Sequence, residues 1–203
     1  MPVDDPAVLA RRLAAHRAVA TALSALSDSD LAGLIAGGHA PGSGVGGSVV
    51  AVDAGGVTVF AKSIPLTAVE LRPGNRMSTA NLFGLPTFYQ YPMGSAGFGA
   101  WRELAAHAMT TAWVLSGGYP GFPLMHHWRI LPVSPPAEGA VTTMFGGIGG
   151  AVARWDGSAA VGRRLEAIAS SRAAIVVSRN TSRTGSATGS PAPTRTSPWL
   201  SGN

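Results

Sequence analysis

A glycine-rich stretch, Gly42-Ser43-Gly44-Val45-Gly46-Gly47, runs straight into Ser48-Val49-Val50-Ala51-Val52. Nothing else in the chain restricts its fold as tightly. Each glycine inside a helix costs about 1 kcal/mol relative to alanine, and the β-branched residues that follow suit a pleated strand. A second such run, Val57-Thr58-Val59-Phe60-Ala61-Lys62, comes after Asp53-Ala54-Gly55-Gly56. Two strand-like runs joined by turn residues predict a β-hairpin over residues 48–62, capped by the glycine stretch that precedes it. Lys62 is the only lysine, and every other basic residue is an arginine. A GC-rich coding bias favours arginine everywhere. A lysine kept at one position therefore points to a task that needs a compact ammonium rather than a planar guanidinium.

With 203 residues the chain can bury one ordinary core, although much of its apolar content is alanine and glycine. The absence of cysteine rules out a disulfide framework and thiolate metal sites. The acidic start, Met1-Pro2-Val3-Asp4-Asp5, leads into no long apolar core, so no signal peptide is expected. No run is long and apolar enough to span a bilayer. The expected setting is the cytoplasm, with no membrane partner. The formal net charge is +5, a sign that can accompany nucleic-acid binding. Here the arginines are scattered and no aromatic residues interleave with a basic cluster, so no nucleic-acid partner is expected.

Along the chain, residues 5–24 read as a helix, with Asp5 as cap and Pro6 at the first helical position. A short second helix starts at Asp28 and ends at Gly37-Gly38. Residues 63–97 are expected to be irregular, because Pro65, Pro73, Pro86 and Pro92 forbid a long helix. Within them, the aromatic stretch from Leu82 to Tyr91 either packs its own rings on the domain or forms a docking surface. Residues 98–116 give the best helix, with Trp101, Leu104, Ala105, Ala108, Ala112 and Leu115 at helical spacing. A strand over 122–131, a glycine-rich connection, a helix over 158–171 and a short buried strand over 173–177 follow. From Ser178 to Asn203 the chain is mostly Ser, Thr, Gly, Pro and Arg, a composition that predicts disorder.

The glycine stretch also fits GxGxxG at Gly42, Gly44 and Gly47. A dinucleotide site requires a helix directly after that loop. A strand follows instead, which favours two glycine-bearing strands covering a phosphate with their backbone. A turn without a ligand remains the plain alternative. Lys62 would need a carboxylate to aim it, and Glu103 is preferred because a regular helix fixes its direction. Glu70, between Pro65 and Pro73, is the competitor. His126 and His127, adjacent on a strand, are expected to face opposite sides and so cannot share one metal ion. His107, one turn after Glu103, could face the same cleft, although a packing role suits it better. No nucleophilic triad is visible: Ser43, beside glycine, lacks the strand-to-helix elbow such a site needs.

The order glycine loop, strand lysine, helix glutamate, strand, helix, strand resembles the N-terminal lobe of a protein-kinase-like fold. Three stretches sharpen the likeness. They are Leu71-Arg72-Pro73 through Ser78-Thr79-Ala80-Asn81-Leu82-Phe83, Ser95-Ala96-Gly97-Phe98-Gly99-Ala100-Trp101-Arg102-Glu103-Leu104, and Phe122-Pro123-Leu124-Met125 through Trp128-Arg129-Ile130-Leu131. They look like an actinobacterial family of protein-kinase-like proteins, over roughly residues 25–177. The resemblance implies an α+β fold: an antiparallel sheet plus a helix of the αC type, with N-terminal helices and the C-lobe absent. Its segments would be a helical 1–38, a kinase-like N-lobe 39–177 and a tail 178–203.

The resemblance further implies ATP as ligand, held by Gly42, Ser43, Gly44, Val45, Gly46, Gly47 and Lys62. Lys62 and Glu103 would form the catalytic pair, Mg²⁺ is expected for the full-length family, and the acceptor would be a protein or peptide. One departure is severe. A kinase also needs a catalytic-loop aspartate, an asparagine and a DFG aspartate, and neither an HRD-like nor a DFG segment follows residue 131. The polypeptide alone is therefore expected to be catalytically inactive, or to be a non-catalytic nucleotide- or protein-binding module. A reading-frame shift near codon 177 is the expected origin: plausible GC-rich codons read in the next frame give an acidic-apolar linker and then an amphipathic segment. Such a lone lobe would expose apolar surface near Lys62 and Val177 and be marginally stable or self-associating.

Overall fold

A computed structural model describes residues 6–44, 47–90, 95–135 and 146–179. The fold is α+β, built on a five-stranded sheet in which all neighbours are antiparallel. In chain order the elements are α1 (Pro6–Ser24), α2 (Asp28–Ala36), β1 (His39–Gly44), β2 (Gly47–Ala54), β3 (Val57–Leu66), α3 (Ala68–Leu71), α4 (Ala100–Leu115), β4 (Met125–Pro132), α5 (Ile148–Arg154), α6 (Ala159–Ala169) and β5 (Ala173–Arg179). The strands lie side by side in the order β1-β2-β3-β5-β4. Among the described residues no single helix is long and apolar enough to cross a membrane.

The hairpin forms where the β-branched runs predict it. Gly55 and Gly56 both have positive φ, 63° and 77°, as a two-residue hairpin turn with the sheet's own twist requires. The Gly56 N–H donates to Asp53 Oδ1 at 3.0 Å. β3 runs beyond its expected end at Lys62, to Leu66. Pro65 does not stop it because the β2 pairing has already finished at Ser48↔Ser63, while β5 still pairs, Pro65↔Ala174. Proline is tolerated where one side of a strand needs no donor. The glycine stretch contributes a strand of its own, β1, which the sequence reading left as a loop.

Alternation along β3 sorts the core into two faces. Ile64 and Leu66 pack with Ile175 and Val177 against Ala100, Trp101 and Leu104 of α4. Val59 and Ala61 pack with Val52, Val176 and Leu131 against Val19 and Leu23 of α1 and Leu31 of α2. The N-terminal helices thus share a core with the sheet. Each such fully buried aliphatic side chain stabilises the fold by about 1.5–3 kcal/mol. Arg129 of β4 pins the corner between the two helices, donating to Leu26 O at 2.6 Å and reaching Asp28 Oδ1 at 3.3 Å. Ser27 caps α2, accepting from the Asp30 N–H.

A third cluster explains the aromatic segment. Phe83, Leu85, Tyr89 and Phe98 are buried with Trp155, Val161, Leu165 and Ile168 of the α5–α6 region. Tyr89 meets Trp155 edge-on at 4.6 Å. The rings therefore pack on their own domain. α5 itself lies where only a glycine-rich connection was expected, with Gly149 and Gly150 inside it.

Other expectations are corrected. Val177 is fully buried, so the apolar surface anticipated near it is covered by α4. Exposed apolar side chains lie instead toward the far end of α4, at Met109, Trp113 and Leu115. The buried stripe of α4 is Ala100, Trp101, Leu104, Thr111 and Val114; alanines at several helical phases had blurred it. His126 and His127 do not take opposite faces. A register shift between Met125 and His127 makes His126 an extra residue in β4. His126 meets His16 of α1, and His127 shares a row with Ser178 and Ala61 on that same face. β5 extends through Ser178 and Arg179; the rest of the tail expected to be disordered, 180–203, lies outside the described residues.

Candidate functional site

Pairing across the sheet sets one row: Gly42, Val49, Lys62, Val177 and Trp128 are successive Cα partners on β1, β2, β3, β5 and β4. Neighbouring strands are about 4.8 Å apart, so the Gly42 backbone lies roughly 10 Å from the Lys62 backbone. Gly42, Ser43 and Gly44 are on β1 and Gly47 opens β2, with Ser43↔Ser48 and Gly44↔Gly47 as partners. Val45 and Gly46, also expected to hold a ligand, lie outside the described residues.

Lys62 points to the α4 face, like Ile64 and Leu66. Its Nζ donates to Glu103 Oε1 at 2.5 Å, with the two side chains only 21% and 31% exposed. Glu103 is in the first turn of α4, four residues after Gly99, whose carbonyl accepts from its N–H. His107 Nε2 stands 3.8 Å from the same Glu103 oxygen, too far for a hydrogen bond but close enough to interact with its charge. Burial alone would push the Glu103 carboxyl up. His107 and the Lys62 ammonium together outweigh it and hold the carboxyl below its ordinary value. Trp128, in the Lys62 row, meets Trp101 of α4 edge-on at 6.4 Å and helps seat the helix.

Glu70, the competing carboxylate, goes elsewhere. It is 1% exposed and forms a capping box with Thr67 at the start of α3. Its Oε2 also accepts from Arg164 Nη1 of α6 at 3.0 Å, and its Oε1 accepts from the Ala100 N–H at 2.7 Å. Arg164, buried beneath the Phe83 ring, was not singled out by the sequence reading. The spacing Thr67-Ala68-Val69-Glu70 was the available signal for this arrangement.

Chemically, the site is a single ammonium, oriented by a helix carboxylate, in the same sheet row as a glycine hairpin. An ammonium with one carboxylate partner keeps donors for other oxygens. Among the described residues no group of three His, Asp or Glu side chains could hold a metal ion. Comparison with protein-family models, with curated proteins and with solved structures found no match.

Proposed function

We propose that this chain binds ATP through its phosphates, as the N-lobe of a protein-kinase-like phosphotransferase. The observation that carries the reading is the Lys62–Glu103 pair, formed between a central strand and the helix packed on it. A pair this accessible contributes only about 1 kcal/mol to stability, which leaves orientation of the ammonium as the better account of it. The strand order and the glycine hairpin in the Lys62 row support the same reading. In it, the hairpin backbone covers the phosphates, Lys62 neutralises their oxygens and Glu103 aims Lys62. Transfer would further require an aspartate base and metal-binding groups of the HRD and DFG type, which the sequence after residue 131 does not offer. The proposal for this polypeptide is therefore binding.

Calorimetric titration with ATP and with NAD tests it. ATP should bind weakly, NAD should not bind, and Lys62→Ala should abolish the ATP heat while the protein stays folded. Preference for NAD, or ATP binding untouched by Lys62→Ala, would refute the reading. A second reading, a protein-binding module, is favoured by the exposed Met109, Trp113, Leu115 and Tyr119. It expects a partner whose binding survives Lys62→Ala.

A further inference from the structure

We infer that Glu70 is the positioning residue of this site: its buried carboxylate sets the N-terminal end of α4 and so decides whether Glu103 reaches Lys62. The relevance to nucleotide binding rests on the reading above; the geometric claim does not.

Two struts join β3 to α4. One is the Lys62–Glu103 pair itself, partly open to solvent. The other starts five residues further along, at Thr67, the first residue after β3. Its N–H and hydroxyl donate to Glu70 Oε2 at 2.9 and 2.7 Å. Glu70 then accepts from the Ala100 N–H through Oε1, and its main-chain oxygen accepts from Trp101 Nε1 at 2.9 Å. Glu103 follows Ala100 by three residues, about 4.5 Å along the helix axis. The buried strut therefore fixes the height at which Glu103 meets the strand.

The helix has no other anchor at that end. Gly99, at the N-cap, offers no side-chain cap, so the carboxylate from β3's side supplies both the acceptor and the negative charge the helix terminus favours. Arg164 holds the second carboxylate oxygen, so Glu70 cannot swing away without breaking a fully buried ion pair. Gly99 is also a built clearance. A Cβ there would come within 2.8 Å of Glu70 Oε1. Its φ of 165° is extended backbone open to any residue, so the glycine is required by the carboxylate rather than by its dihedrals.

The single lysine gives a direct test. Protein labelled with 15N-lysine carries one side-chain ammonium resonance, that of Lys62, and Glu103→Gln supplies its position when the pair is lost. Glu70→Gln and Gly99→Ala should each move the resonance at least half way to that position. Ile168→Ala, which thins the same core under α6 without touching Glu70, should leave it in place. An unmoved resonance in the folded variants, or an equal movement in Ile168→Ala, would overturn the inference. If Glu70→Gln fails to fold, Gly99→Ala carries the test, because it keeps every hydrogen-bonding group. If that variant unfolds too, the node supports the fold as a whole and the positioning claim is lost. A resonance that moves as expected in a protein that binds no ATP would keep this inference and remove the nucleotide reading.

Discussion

Acidification should loosen the contact between α1 and the sheet, through His126. Its Nδ1 lies 3.1 Å from His16 Nδ1, so one ring must donate and the other accept. His126 Nε2 is buried without a partner. A lone pair is cheaper to leave there than an N–H, which assigns the shared proton to His126 Nδ1, donating to His16. A second proton on His126 would enter an unpartnered, buried nitrogen. Burial first, and the His16 ring next, lower its pKa from 6.5 to about 4. His16 is lowered as well, by burial and by Arg17, and His127 by burial and by Arg129. The unfolded chain takes up these protons from about pH 6.5 downward, whereas the folded chain resists. The contribution is therefore fully present above pH 6.5 and is lost as pH falls toward 4. For His126 the full interval of 6.5 − 4 = 2.5 corresponds to at most about 3.4 kcal/mol. Solvent reaches the pair through the half-buried His16, so we expect about 2 kcal/mol. Glu103, held below 4.5, loses its own contribution only at lower pH. Urea melts at pH 7.5, 6.5, 5.5 and 4.5 measure the slope. His126→Asn places an amide donor near Nδ1 without a titrating group, and should flatten the slope while keeping most of the stability at pH 7.5. An unchanged slope in that variant would refute the assignment.

Arg164→Met should destabilise the fold by about 3–5 kcal/mol in urea melts, because it leaves the Glu70 carboxylate buried without its counter-charge. A loss below 1 kcal/mol would show that the Thr67 and Ala100 donors satisfy Glu70 by themselves. Gly38→Ala should cost about 1–3 kcal/mol. Its Cβ would meet Val52 Cγ1 at 2.9 Å and the Ala51 carbonyl oxygen at 3.0 Å, where α2 hands over to β1. A neutral result would mean that this junction yields more easily than its contacts suggest.

What the sequence disclosed, and what it did not, follows from the range of the interactions. The hairpin, α1, α2 and α4 were legible because β-branched runs, caps and helical periodicity are local signals. Lys62 could be picked out by composition alone, and Glu103 by lying on the most regular helix. The end of β3 was misjudged because Pro65 reads as a breaker locally, and only the finished β2 pairing makes it harmless. The bulge at His126 turns both histidines to one face, a matter of register with β5 that no local pattern encodes. Arg164 gave no sign at all: its partner Glu70 is remote in sequence, and an arginine on a predicted helix reads as solvated. The Thr67–Glu70 capping box was present but went unused, because the surrounding prolines argued for irregular chain.

The most direct test of the central claim is a titration of ATP into 15N-lysine-labelled protein, following the one ammonium resonance. If Lys62 receives phosphate oxygens, ATP should shift it saturably and adenosine should not, and the shift should vanish in Glu103→Gln or weaken severalfold. A resonance that stays fixed at millimolar ATP would contradict the account.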